Sequence, residues 1–253
     1  MSTLEILVAQ RMVNNMVKET KVTNAKKEVK QMWRKYDVEL TMTGHFAASL
    51  PKTKEEIELM LKNRMPKKPP VNFVPIPELA DVVVSKIGIP VDKDTEEVQF
   101  GYATFCRDKS GLYYEGRCIR GHLKDCATQV KSLIPSGKEP KDGEEDKGMT
   151  ALKAKVANKV YVMTDVIYLG RTEVDGTEER FIQIMTIHGP RSTIKYIDYL
   201  IKPSLKFRLN VLNDGVITDD ILTTMFDYGS VHGLGQERSQ GWGRYEYTIT
   251  EVV

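Results

Sequence analysis

Two short stretches of this 253-residue chain combine glycine with fixed positive charge, and both suit a phosphate backbone. The first is Gly233-Leu234-Gly235-Gln236-Glu237-Arg238-Ser239-Gln240-Gly241-Trp242-Gly243-Arg244, where four glycines fall within eleven residues, with Arg238 among them and Arg244 directly after. Glycine admits positive φ and lets a ligand approach the backbone closely. Successive N–H groups in such a loop form a concave anion site, and arginine adds bidentate phosphate contacts. The same composition also describes a bend packed against a sheet, so a phosphate cradle and a packing turn both stay open. The alternating segment that follows, Tyr245 to Ile249, reads as a strand.

The second stretch is Glu115-Gly116-Arg117-Cys118-Ile119-Arg120-Gly121-His122-Leu123-Lys124. Here a hairpin gives way to a helix expected to begin near Arg120. The first turn of a helix leaves N–H groups free to hold an anion. Arg117, Arg120, His122 and Lys124 would surround that anion. Two glycine–basic elements in one domain are more telling than either alone.

The elements that must position them follow from periodicity. Residues 1–36 read as an N-terminal helical arm, with Ile6, Ala9, Val13, Met16 and Val17 on one face and Ala25, Val29, Met32, Trp33 and Tyr36 on another. The arm suits packing on the main domain or a neighbouring subunit, and a nucleic-acid contact is the alternative. Tyr36 to Thr43 reads as a first strand, Thr53 to Arg64 as a helix, the proline-rich Met65 to Pro77 as an extended excursion, and Ser85 to Pro90 as a short strand. Val98 to Cys118 reads as a hairpin turning at Asp108-Lys109-Ser110-Gly111, and about Arg120 to Ile134 as a helix. A second hairpin is expected to join Val160–Leu169 to Phe181–Ile187. Lys206–Leu212 reads as a strand, Thr218 caps a helix to about Phe226, and Arg244–Val252 closes the chain as a strand. This pattern predicts an α+β, ferredoxin-like or RRM-like core with a mostly antiparallel sheet over residues 37–253. Insertions are expected at about 51–96 and 135–157.

Composition narrows the function classes. Hydrophobic residues at 41% and charged residues at 28% are ordinary for a globular protein. No run approaches a membrane span, so no membrane partner is expected. The apolar part of the N-terminus carries Glu5 and Arg11, unlike a signal peptide. Cys106, Cys118 and Cys126 form no even disulfide set, which predicts reduced thiols and a cytoplasmic location. The first 70 residues hold 14 lysines and arginines against 8 acids, although the whole chain is only +2. Such asymmetry fits a polyanion-binding face or a solvated basic helix. The four histidines and three cysteines lack ligand-like spacing, so no metal site is expected. No Walker loop, dinucleotide fingerprint or G-x-S-x-G motif is present, so no cofactor is expected either.

At the level of motifs the chain resembles a family. EGRCIRGHLK is similar to the P-G-S-S-x-K/R-G-x-x-R motif of the RAMP superfamily of CRISPR effector complexes. LKFRLNVL, ITDDILTTMFDYG and GLGQERSQGWGRYEYTI resemble that superfamily's closing strand, helix, G-x-G-x-x-R-S-x-G-x-G-R loop and strand. The match covers roughly residues 97–134 and 204–250 and is nearest to the backbone subunits that polymerise along a guide RNA. The chain departs from the motif at Glu115, where the family often has proline, and at Arg117-Cys118, which replace a pair of small hydroxyl residues.

The resemblance implies a single-stranded guide RNA as partner, with copies of the chain and other effector-complex subunits, and a role in antiviral defence. Single-stranded DNA is the alternative polymer for a mobile-element relative. Arg117, Cys118, Arg120, Gly121 and Lys124 would line the phosphate track, joined by His122. Gly233, Gly235, Arg238, Ser239, Gly241, Gly243 and Arg244 would form the glycine loop, and Tyr102, Tyr113 or Trp242 would stack bases. Some family backbone subunits cut target RNA with an aspartate after the first strand, but residues 44–53 contain none, so that cleavage is not expected. The superfamily's repeat-processing endoribonucleases offer a metal-free alternative. In it His45 would deprotonate a 2′-hydroxyl, Lys52 would stabilise the phosphorane, and Tyr36 would assist. A structural, self-assembling role for the fold is a further alternative.

Overall fold

Strict alternation from Trp33 to Met42 sends Tyr36, Val38, Leu40 and Met42 to one side, where all four are buried, and Lys35, Asp37 and Thr41 to the other. That strand is the axis of the fold. The computed structural model describes residues 31–51, 54–65, 74–87, 102–136, 148–186 and 189–252. In chain order these form β1 (Trp33–Met42), β2 (His45–Ala47), β3 (Leu50–Pro51), α1 (Lys54–Arg64), α2 (Ile76–Ile87), β4 (Tyr102–Thr104), β5 (Cys106–Asp108), β6 (Gly111–Glu115) and α3 (Gly116–Val130). There follow α4 (Leu152–Lys159), β7 (Val160–Val162), β8 (Val166–Tyr168), β9 (Gly176–Thr186), β10 (Gly189–Ile201), β11 (Ser204–Leu212), α5 (Asp219–His232), a 3₁₀ turn (Arg238–Gln240) and β12 (Tyr245–Val252).

β1 lies between β11 and β12, antiparallel to both, with Val38 opposite Phe207 and Ile249. β7 extends the sheet beyond β11, giving the order β12-β1-β11-β7. With α3 between β1 and β7, and α5 between β11 and β12, this is the split β-α-β arrangement of a ferredoxin-like fold. One face of the sheet meets both helices. Ile119, Leu123, Cys126, Ala127 and Val130 recur at helical spacing on α3, and Ile221, Leu222, Met225 and Phe226 on α5, all within one core with the β1 row. Thr218 caps α5 by accepting the Ile221 N–H, and Asp219 and Asp220 sit in its positive first turn.

Two smaller sheets complete the domain. β2, β10, β4 and β3 form one, with β9 paired along β10, and β5, β6 and β8 form the other. The expected hairpin between Val160–Leu169 and Phe181–Ile187 does not exist. Val160–Val162 joins the main sheet, the chain bends at Thr164-Asp165, and Val166–Tyr168 pairs with β6. Phe181 instead pairs with Ile194 of β10. The expected strand from Ser85 is also corrected. Ile76–Ile87 is a helix, in which Pro77 lies in the first turn where its missing N–H costs nothing, and Ala80, Val83 and Val84 pack against Ile57 and Leu61 of α1. The arm expected over residues 1–36 lies outside the described residues as far as residue 30, and Trp33 to Tyr36 begin β1.

Leu40 is fully buried at the centre of the axial strand. Leu40→Ala removes its packing and leaves a cavity, so the urea midpoint should fall by the equivalent of about 3 kcal/mol with an unchanged m-value. A loss below about 1 kcal/mol would contradict this placement of the core.

Candidate nucleic-acid interface

Helix α3 starts one turn earlier than its sequence suggests, at Gly116. The reason is packing: a Cβ at Gly116 would lie 2.0 Å from the Thr164 carbonyl oxygen, and the Gly116 N–H donates to Asp165 O at 2.8 Å. Arg120, Gly121 and Lys124 therefore occupy the second and third turns. The helix buries Ile119, His122, Leu123 and Cys126, which leaves Arg117, Gly121 and Lys124 as an outward stripe flanked by Arg120. Glu115 is the N-cap residue, and its carboxylate accepts the Arg117 Nε–H at 2.7 Å. Arg120 donates from Nη2 to the Ala157 carbonyl at 2.8 Å, at the end of α4. Cys118 is half-buried against Tyr114.

His122 is corrected: it does not face solvent. It is 6% exposed and shares a 2.9 Å hydrogen bond with the Tyr245 hydroxyl. Burial, reinforced by the charges of Arg238 and His232, pushes its pKa down to about 4, so it is neutral at physiological pH. Gly229 is required beside it, since a Cβ there would meet Tyr245 Oη at 2.2 Å and His122 Nε2 at 2.7 Å.

Packing accounts for most of the glycine loop. A Cβ on Gly243 would lie 1.8 Å from Leu234 O, and one on Gly233 2.6 Å from Trp242 O. Gly233, Gly235, Gly241 and Gly243 all have positive φ. The loop closes on itself through Leu234 N–H to Gly243 O at 2.8 Å, and on β2 through Gly243 N–H to His45 O at 2.7 Å. What it presents outward is Arg238, Ser239 and Gln240, with Arg244 just beyond. Gly121 is the contrast: it sits inside a helix, exposed, and a Cβ added to it would meet nothing within 4 Å.

The two sequence elements meet. Arg238 donates to Asp125 Oδ2 of α3 at 3.0 Å and lies 2.7 Å from His232 Nε2 at the end of α5. Burial acts to raise the Asp125 pKa, but the hydrogen bond and charge of Arg238 outweigh it and hold the carboxyl below its ordinary range. Lys195, His232, Gly235, Gln236, Glu237, Arg238 and Ser239 line an open cleft of about 710 Å³ beside this contact. Two cations there escape a motif-based reading. Arg180 of β9 and Lys195 of β10 are directly paired across the hairpin, and each holds one oxygen of the Glu237 carboxylate, at 2.9 and 2.8 Å. Their only sequence signal is a basic residue in each of two alternating strands.

The other candidates are not brought together. Tyr36 is buried near the opposite end of β1 from His45 and donates to Asp219 Oδ1 at 2.6 Å; burial, then that bond, pushes its pKa up, so it makes no base. His45 stacks on Trp242 with centroids 4.9 Å apart and meets Tyr199 edge-on at 4.8 Å. Lys52 lies outside the described residues. Trp242 and Tyr113 are buried, and Tyr102 stacks on Tyr196 while donating to Asp198, so none of these three offers an open ring. Among the described residues, no group of three or more His, Cys, Asp or Glu stands where it could hold a metal ion, and no helix is long and apolar enough to cross a membrane.

Two consequences are measurable. A histidine held neutral in the native state favours unfolding as pH drops from its unfolded value near 6.5 towards 4, because the unfolded chain then binds the extra proton. His122 should therefore contribute a loss on the order of 3 kcal/mol across that window, and a His122→Phe protein should show a shallower fall of Tm with pH. Equal slopes would contradict a neutral native His122. Gly121→Ala should stabilise the protein by up to about 1 kcal/mol, whereas Gly243→Ala, which is both strained and clashing, should lower Tm markedly.

No family model matches this chain, and no curated protein sequence matches it. Among solved structures, the chain is similar to chains of two assemblies. One is described as the cryo-EM structure of the Type III-B Cmr-beta bound to cognate target RNA, at 13% identity and a TM-score of 0.37, with 95% of this chain and 66% of that one covered. The other is a Type IV-B CRISPR complex, at 10% identity and a TM-score of 0.41, with 85% of this chain and 90% of that one covered. The chain thus spans just under two thirds of the first of these.

Proposed function

We propose that this protein is an RNA-binding subunit of a CRISPR-type ribonucleoprotein that coats single-stranded guide RNA and assembles with copies of itself and other effector subunits along it. The observation that carries the reading is the junction of the two glycine–basic segments. The α3 stripe and the glycine loop are more than a hundred residues apart in sequence, yet Arg238 reaches Asp125 at 3.0 Å. Gly121 adds to it, because nothing among the described residues requires a glycine there and a close-approaching backbone does. The cations are held in place by partly exposed acids: Arg238 by Asp125, and Arg180 and Lys195 by Glu237. A phosphate competing for them meets side chains already ordered, which lowers the entropy cost of binding.

Contacts of this kind are independent of base sequence and sensitive to salt. Size-exclusion chromatography of the protein from cells, with absorbance at 260 and 280 nm, should give a large nucleic-acid-rich peak that collapses on RNase treatment. Collapse on DNase alone would assign single-stranded DNA instead, and a nucleic-acid-free monomer would overturn the coating function. Lys124→Glu and Arg238→Glu should each weaken RNA binding with a native circular-dichroism spectrum. Each should flatten the log–log salt dependence by about 0.7 for a lost phosphate contact. Unchanged affinity in both would refute this track.

A further inference from the structure

The face of the main sheet turned away from α3 and α5 is mostly neutralised. Asp37 pairs with Arg208 at 2.9 Å, Glu39 with Lys206 at 3.2 Å, and the Ser204 hydroxyl donates to Glu39 at 2.7 Å. One corner of that face differs. Trp33 opens β1 on the same side as Lys35 and Asp37, and Tyr161 of β7, opposite Asn210, shares that side. The two rings cross at 90° with centroids 5.4 Å apart. Tyr161 remains 37% exposed and the adjoining Met163 54%. The Tyr161 hydroxyl donates to Asn158 O at 3.0 Å, which satisfies its polar end on the backbone. Arg120 lies over the ring at 5.6 Å while its Nη2 is fixed to Ala157 O.

We infer that the Trp33–Tyr161–Arg120 corner stacks a nucleobase of the bound single strand. The inference rests on the RNA-binding reading and names its base-contacting residues, which the buried Trp242 and Tyr113 cannot be. Arg120 belongs at once to the basic surface of α3 and to this corner, so a strand whose phosphates follow α3 presents its bases here. Every base has a π-face, and a partly open aromatic pair backed by a guanidinium takes it without regard to sequence. Repulsion does not oppose it, since the neighbouring acids Asp37 and Glu39 are paired.

The test compares binding of a labelled oligouridylate with that of an abasic strand of equal length and charge. Tyr161→Ala and Tyr161→Leu should each weaken uridylate binding ~10-fold and leave the abasic strand unaffected, with an unchanged salt slope. Tyr161→Phe, which keeps the ring, should bind both strands as the parent does. Equal weakening of both strands would mean that Tyr161 acts only by holding Arg120, and unchanged binding would leave the corner to a protein partner. Either result overturns the stacking role while the RNA-binding reading stands. A parent protein that binds neither strand overturns both.

Discussion

The antiparallel pairing of β1 with strands on both sides is the constraint on which the other elements depend. Its side chains on one face form the floor of the helix-packed core, and its backbone has no free edge, since β11 and β12 take one each. Where the strand ends, the same ladder continues into the interface. Met42 N–H donates to Pro203 O, Thr43 N–H to Arg244 O, and Gly243 N–H to His45 O. The glycine loop is thus hung from the end of the axial strand by main-chain hydrogen bonds, and its side chains are left to do something else.

What they do is electrostatic. Three of the candidate interface arginines meet either a carboxylate or a backbone carbonyl. Arg117 meets Glu115, Arg120 meets Ala157 O, and Arg238 meets Asp125. Exposed ion pairs of this kind add little to stability, because solvent screens them and ordering long side chains costs entropy. Their effect is to fix geometry. Glu115 goes further, placing an anion of the protein's own at the N-terminus of α3, where the helix dipole favours negative charge. Phosphate is therefore expected along the flank of this helix rather than at its tip.

The fold is largely legible in the sequence because its core strands and helices carry uninterrupted periodicity. β1, β11 and β12 alternate cleanly, and α3 and α5 keep apolar residues three and four apart. The second hairpin misleads because Val160–Tyr168 reads as one largely apolar run, whereas its two halves pair in different sheets, Val160–Val162 with β11 and Val166–Tyr168 with β6. α2 is hidden because Pro75 and Pro77 mask a helical spacing that starts right beside them. At the site, the basic stripe and the glycine loop are visible as motifs, while the burial of His122 is not. A histidine among arginines looks like a ligand until helix phase places it on the apolar side. Arg180 and Lys195 carry no motif at all, and only strand register brings them together.

That register has a consequence for the order in which the molecule matures. Like charges set directly across a ladder repel, so the β9–β10 hairpin holds a conflict at Arg180 and Lys195 that Glu178 eases from within β9 and Glu237 completes from the glycine loop. Glu237 is made some forty residues after Lys195, in a loop that itself hangs from β1 near the start of the chain. Before that loop docks the hairpin has Glu178 against Arg180, and the Glu237 carboxylate reaches Arg180 and Lys195 only once the distant loop is in place. Full charge compensation of the hairpin is in this way tied to docking of a loop made much later in the chain.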